Sequence, residues 1–325
     1  MKPAITTLIV QSPEYTRHLT GQGHPESPSR YRAIVEALSQ TGLAGENNVL
    51  PPRSASAEDV LRCHTEEYLA IVERDVTLSG LRGIDDGTYP LSTGDATVCP
   101  ESLKVALLAA GGVLTGVDAV MEGKAKNVFC VVRPPGHHAC SNQGMGFCLF
   151  NNVAIGARYV QEKYGIDRVL IVDWDVHHGN GTQEIFEEDP TVFYFSTHRE
   201  HFYPMGCGQA EQKGYGEGLG TTLNVPIPPG PVSRGKVLEA FKTRLVEAMK
   251  TFQPQVVFIS AGFDAHYLDP LGGFTLQDED FAILTKIICY VADQYAEGRL
   301  VSVLEGGYSL KGLSTAATAH VRALQ

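Results

Sequence analysis

The chain has no long apolar run and no cysteine pair at CxxC spacing. No segment approaches the ~18 consecutive apolar residues of a membrane span. Near the N-terminus the only apolar stretch is Leu8-Ile9-Val10, too short for the core of a signal peptide, and no small-residue cleavage site follows it. The cysteines number seven, an odd set unlike a disulfide framework, so free thiols in a reducing compartment are expected. Positive charge is also scarce: 26 Lys and Arg stand against 37 Asp and Glu, for a net charge of −11. No global positive field draws such a chain to nucleic acid or anionic lipid. The expectation is a soluble, cytoplasmic protein with no nucleic-acid or membrane partner. Internal repeats, low-complexity segments and linkers are all missing, which makes residues 1–325 one domain.

What is present fits a folded enzyme-sized domain. Hydrophobic residues make up 43% and charged residues 19%, so disorder is not the dominant state. Glycine, at 34 residues, exceeds its usual share of about 7% and implies many tight turns. Apolar β-branched runs occur at Ile5–Val10, Val128–Val132, Arg168–Asp175, Val192–Thr197, Thr222–Ile227, Gln255–Ser260 and Leu300–Leu304. Most lack alternation, as strands buried on both faces of a parallel sheet do. Helical patterns lie at Glu101–Met121, Val153–Tyr164, Arg234–Phe252 and Glu279–Ala296. Alternating strands and helices predict an α/β domain with a mostly parallel sheet. Residues 76–100, 133–150, 199–220 and 264–277 read as long loops, and all but the first directly follow a strand. Ligands in open α/β sheets bind beyond the carboxyl ends of strands.

Four polar clusters fall at those ends: Arg133-Pro-Pro-Gly-His137-His138-Ala139, Asp173-Trp-Asp175-Val-His177-His178-Gly179-Asn180-Gly181, Ser260-Ala-Gly-Phe-Asp264-Ala-His266 and Glu305-Gly-Gly-Tyr308. On an extended chain Asp173, Asp175 and His177 share one face. Two carboxylates and an imidazole beside a buried sheet need a cation to compensate them. With Asp264, the set Asp175, His177 and Asp264 gives three ligands and leaves room for water and substrate, the pattern of a catalytic zinc site. Mixed N/O ligands also suit Fe²⁺ or Co²⁺. The competing reading is a hydrogen-bonded polar network without metal. Two carboxylates offset a divalent charge, so an attacking water there needs a general base. His137 and His138 can supply it, with Asp173 and Asn180 as their partners. Tyr308, after two glycines, can donate to an oxyanion. The other histidines, at 18, 24, 64, 198, 201, 266 and 320, read as surface or satisfied polar residues.

Together these motifs resemble the histone deacetylase superfamily, which includes acetoin-utilization proteins and acetylpolyamine amidohydrolases. RPPGHHA, DWDVHHGNGTQ, SAGFDAH and LEGGY occur in order, and the resemblance runs from about His24 to Tyr308. It implies the arginase–deacetylase fold with an eight-stranded parallel sheet. Asn180 and Glu305 look like the class II pattern. Carried over, Asp175, His177 and Asp264 match the Zn²⁺ ligands, His137 and His138 the tandem histidines, and Tyr308 the tyrosine that polarises the scissile carbonyl. Gly146, Phe147 and Tyr203 match the acyl-lysine tunnel, and Leu271 falls near its mouth. The resemblance also implies K⁺ at Asp173, Asp175, His177, Ser196 and Thr197, and a second K⁺ near Phe186, Asp189, Val192 and Thr221.

The implied reaction is removal of an acyl group, acetyl in the first instance, from an N-acylated amine such as acetyl-lysine. An amidohydrolase acting on acetylpolyamines is the rival. Polyamine-selective relatives carry Glu where this chain has Leu271, which disfavours it. A binuclear arginase-like site lacks a bridging ligand, because His266 stands where that group has Asp. A catalytically silent acyl-lysine binder would lack Tyr308 or a tandem histidine, and both are present. Oligomeric state is left open.

Overall fold

The structure, a computed structural model, describes residues 5–82 and 87–325. Its strands are β1 (Ile5–Val10), β2 (Val49–Leu50), β3 (Tyr89–Pro90), β4 (Thr97–Val98), β5 (Ala125–Cys130), β6 (Val169–Asp173), β7 (Val192–Arg199), β8 (Thr222–Ile227), β9 (Val256–Ala261) and β10 (Leu300–Leu304). Eight of them form one sheet in the order β2-β1-β5-β10-β9-β6-β7-β8, and every pairing in it is parallel. The expected eight-stranded parallel sheet is therefore present. Strands β6, β9 and β10 are buried along their whole length, which explains why they read as apolar runs rather than alternating ones.

Helices cover both faces. They are α1 (Pro28–Gln40), α2 (Ala57–Leu61), α3 (Glu66–Arg82), α4 (Ser102–Met121), α5 (Asn152–Tyr164), α6 (Asn180–Phe186), α7 (Val232–Ala240), α8 (Val246–Phe252), α9 (Asp278–Tyr295) and α10 (Leu310–Leu324). Helices α4 and α5 pack together, as do α9 and α10, with α1 beside α10. Adjacent residues of β5 separate the two layers: Val128 lies against Gly116 of α4, while the Phe129 ring meets His320 of α10 at 5.2 Å. Helix α4 is long and apolar enough to cross a membrane by length and composition, yet most of it is buried against the sheet and α5.

Several boundaries differ from the sequence reading. The expected helix Arg234–Phe252 is α7 and α8 joined through a π-helical turn at Phe241–Leu245. Helices α1, α2, α3, α6 and α10 have no counterpart in the sequence reading. Residues 76–82, expected as loop, complete α3, and residues 89–98 hold the antiparallel pair β3–β4. Residues 83–86 of that expected loop lie outside the described residues. Strand β5 starts and ends earlier than expected, and β6 stops at Asp173, so Trp174 and Asp175 are not in the strand.

Sheet order positions the site. The four strands that precede the four polar clusters, β5, β10, β9 and β6, are adjacent at the centre of the sheet. Their carboxyl ends therefore open onto one place, although the clusters span residues 133 to 308 of the chain.

Candidate active site

Asp175, His177 and Asp264 meet at that place. All three are at least nine-tenths buried or nearly so, and their ligand atoms lie within 4.8 Å of one another. His177 Nδ1 is 3.1 Å from Asp175 Oδ1 and 3.1 Å from Asp264 Oδ2. The chain is no longer a strand here, yet Asp173, Asp175 and His177 still converge. The Asp175 amide donates to Asp173 Oδ1 at 3.1 Å and the His177 amide to Asp175 Oδ1 at 2.9 Å. From the segment after β9, Asp264 Oδ1 accepts the Val176 amide at 2.9 Å, and from the segment after β10 the Gly306 amide donates to Asp175 Oδ2 at 2.8 Å. A β-carbon at Gly306 would lie 2.2 Å from Asp264 Oδ2, so only glycine lets the backbone come this close.

The donor set fits a divalent cation. Burial pushes the Asp264 carboxyl up to about 7, and the Asp175 charge adds to it. Burial acts the same way on Asp175, but His137 and His177 hold it below the ordinary carboxylate range. Burial opposes charge on His177, yet its bonds to both carboxylates lift the imidazole to about 10. Two buried carboxylates thus draw positive charge to the one point they share, and an imidazole nitrogen faces the same point.

The tandem histidines differ from each other. His137 Nδ1 meets Asp173 Oδ2 at 3.0 Å, and that oxygen also accepts from the Tyr194 hydroxyl at 3.0 Å. Burial opposes charge on His137, but Asp173 and Asp175 raise it to about 10. His138 Nδ1 meets Asn180 Oδ1 at 2.8 Å, a neutral partner. Burial holds His138 well below its ordinary value, and the neighbouring His137 and His177 charges add to that. The two rings lie 4.0 Å apart between centroids.

A pocket of about 270 Å³ opens onto this centre. Its walls include His138, Phe147, His177, Tyr203, Leu271 and Tyr308, and Gly146 completes one side. The structure therefore gathers every residue expected in the tunnel. It adds two that were not anticipated: Phe202, whose ring stacks on His177 at 5.2 Å, and Asp95. Asp95 accepts from the Tyr203 hydroxyl at 2.9 Å and from the Gly146 amide at 2.7 Å. The pocket is therefore not lined by apolar groups alone, as Leu271 by itself implied. Asp269 ties two wall residues together, accepting from the amides of Tyr308 at 2.6 Å and Leu271 at 2.9 Å. Tyr308 packs edge-on to Phe147, and the Arg30 guanidinium lies 5.1 Å from its ring centre.

Behind the pocket, Glu26 binds Arg133, and Arg30 donates to Glu26 Oε1 at 3.0 Å and to the Gly307 carbonyl at 2.6 Å. Glu305 accepts from the Gly136 amide at 2.7 Å and the His137 amide at 3.1 Å. No motif spacing links Glu26 and Arg30 to the site, and the sequence reading assigns them no role. Of the histidines left without a role, His18, His64, His198, His266 and His320 are buried and hydrogen-bonded, and His201 is exposed.

The residues matched to K⁺ are also gathered. Asp173 pairs in register with Ser196 on β7, Thr197 follows, and the buried Thr197 hydroxyl has no hydrogen-bond partner among the described residues. Phe186, Asp189, Val192 and Thr221 cluster at the start of β7. There the Arg158 guanidinium already pairs with Asp189 and covers the Phe186 ring. All seven cysteines are unpaired.

Comparison with known proteins fits this geometry. Residues 24–324 match the histone deacetylase domain. A probable deacetylase of Archaeoglobus fulgidus is 38% identical over 310 residues, covering 95% of this chain and 83% of that one. The human polyamine deacetylase HDAC10 is 39% identical over 308 residues, covering 92% of this chain and 44% of that one. The crystal structure of the HDA15 HD domain superposes with a TM-score of 0.89 at 36% identity, over 98% of this chain and 89% of the other. The chain belongs to the histone deacetylase domain family and has the deacetylase fold.

Proposed function

We propose that this chain is a Zn²⁺-dependent deacetylase that hydrolyses an N-acylated amine, acetyl-lysine in a peptide being the first candidate. The observation that carries the reading is the buried Asp175–His177–Asp264 set at the end of a pocket walled by His138 and Tyr308. Those three residues would hold the metal, with Fe²⁺ and Co²⁺ as alternatives. A bound divalent cation supplies Lewis acidity, polarising the amide carbonyl and making a water nucleophilic.

The chain's own residues do the rest. Phe147 and Tyr203 grip the alkyl chain of the substrate and exclude water around it. Tyr308 donates its hydroxyl to the carbonyl oxygen as negative charge develops there. His138, which lines the pocket, takes the proton of the attacking water and returns it to the leaving amine. His137, held by Asp173 behind that ring, stabilises charge without exchanging the proton. The products are a carboxylate and a free amine. K⁺ at Asp173, Asp175, His177, Ser196 and Thr197, and a second K⁺ at Phe186, Asp189, Val192 and Thr221, belong to the same reading as structural ions.

A second reading, an acetylpolyamine amidohydrolase, is favoured by one feature. Asp95 places a carboxylate in the pocket wall, and an ammonium further along the substrate can pair with it. Acetate release from an acetyl-lysine peptide and from acetylspermidine, each measured with His138→Ala as the control, tests both. Turnover of the peptide that is lost in the variant supports the first reading. Turnover of acetylspermidine alone transfers the assignment to the second, and no acetate from either contradicts both.

A further inference from the structure

Asn180 does more than touch His138, because its amide has two distinguishable ends. Oδ1 only accepts and Nδ2 only donates. Oδ1 faces His138 Nδ1 at 2.8 Å, while Nδ2 lies 3.3 Å from Cys140 Sγ and 3.4 Å from Met145 Sδ. The two amide protons therefore have one sulfur each. We propose that Cys140 and Met145 are positioning residues, which lock the Asn180 amide in the one orientation that makes His138 a base towards the pocket.

The lock follows from what each sulfur can do. A thioether has lone pairs and no proton, so Met145 accepts from Nδ2 but offers nothing to Oδ1. The Cys140 thiol has one proton, and it is already directed to the His138 carbonyl, 3.8 Å from Sγ. Burial and the Glu184 charge push this thiol up to about 12, so the proton stays on it. A flipped amide would set Oδ1 against two sulfur lone pairs and an N–H against His138 Nδ1. In the observed orientation Oδ1 requires a proton on Nδ1, and a neutral imidazole has only one. The Nε2 lone pair is then free on the pocket side. Hydrogen bonds run from His138 Nδ1 to Asn180, from Asn180 to Cys140 and from Cys140 back to the His138 carbonyl, closing a ring around that histidine. The turn that presents Cys140 is itself fixed: its amide donates to the Gln143 carbonyl at 2.9 Å, and Ser141 bonds Glu184 through both its amide and its hydroxyl.

The catalytic consequence rests on His138 being the proton acceptor, but the tautomer can be observed without turnover. The test compares the Zn²⁺-loaded wild type with Met145→Leu, Cys140→Ala/Met145→Leu and Cys140→Ser/Met145→Leu. Histidine ¹⁵N signals report the His138 tautomer, and kcat and KM are measured on an acetyl-lysine peptide. The Ala/Leu variant is expected to show a mixture of His138 tautomers and roughly a five- to tenfold fall in kcat, the shift that one or two net hydrogen bonds support, with KM within twofold. Serine keeps a donor and an acceptor at residue 140, so the Ser/Leu variant is expected to recover most of both. A His138 that remains wholly Nδ1-protonated in the Ala/Leu variant overturns the proposal, whatever happens to kcat. A shifted tautomer with unchanged kcat supports the lock and instead removes His138 from its role as base. Should the double variants not fold, Met145→Leu alone carries the same comparison at about half the effect.

Discussion

Glu26 and Arg133 form a two-pronged ion pair, Oε1 to Nε at 2.6 Å and Oε2 to Nη2 at 2.8 Å, and both side chains are fully buried. Arg133 opens the segment that carries His137 and His138. The same carboxylate holds Arg30, which binds the Gly307 carbonyl next to Tyr308. One acidic residue of the N-terminal region thus couples the loop that carries His137 and His138 to the one that carries Tyr308. Glu26→Gln leaves two buried guanidinium groups short of a counter-charge. It is expected to cost about 3–5 kcal/mol of stability in urea unfolding. A loss under 1 kcal/mol would show that the pair is dispensable.

Acid should act through the same group. Burial raises the Glu26 pKa, but Arg133 and Arg30 outweigh it and hold the carboxyl at about 2, against an ordinary 4.5; His18, 3.8 Å away, adds to the lowering. A carboxyl depressed on folding contributes stability that is complete above pH 4.5 and fades as the pH falls towards 2. Its size is about 3 kcal/mol. The stability gap between wild type and Glu26→Gln should therefore narrow by about 2 kcal/mol between pH 6 and pH 3, the remainder being lost only below pH 3. A gap independent of pH contradicts the assignment.

Legibility divided along physical lines. Strands buried on both faces have a signal of their own, so β6, β9 and β10 were readable from apolar content, and the motifs at their ends pointed to Asp175, His177 and Asp264. Helix α10 was not read, although Leu313, Ala316, Ala317, His320, Val321 and Leu324 line one buried face, because alanine and threonine dilute the apolar period. Strand β2, two residues long, has no period at all. Asp95 reaches the pocket only because β3 and β4 fold back and Asp75 of α3 takes the Ser92 amide at 2.7 Å. Glu26 and Arg133 are 107 residues apart, and only the fold brings them together.

Tyr308 lines the pocket, and among the described residues no hydrogen bond engages its hydroxyl. Tyr308→Phe should lower kcat by roughly 10²–10³, the range for one lost oxyanion donor, with metal content unchanged. Near wild-type kcat would make the tyrosine a structural wall.

Substrate choice should respond to two residues of opposite character. Leu271→Glu adds a carboxylate near the mouth and should raise kcat/KM for acetylpolyamines relative to acetyl-lysine peptides. Asp95→Asn should shift the ratio the other way. Each contact at a partly exposed mouth is worth about 1 kcal/mol at most, so each shift should be several-fold. Ratios unmoved by either substitution would place substrate selection elsewhere.

Metal dependence is the central claim, and a titration reads it most directly. Protein stripped by a chelator and verified metal-free is titrated with Zn²⁺, following bound metal by elemental analysis and acetate release from an acetyl-lysine peptide. One equivalent should bind and restore hydrolysis in parallel, and Asp264→Asn should bind far more weakly. Full hydrolysis by the metal-free protein, or no Zn²⁺ uptake by the wild type, would contradict the account.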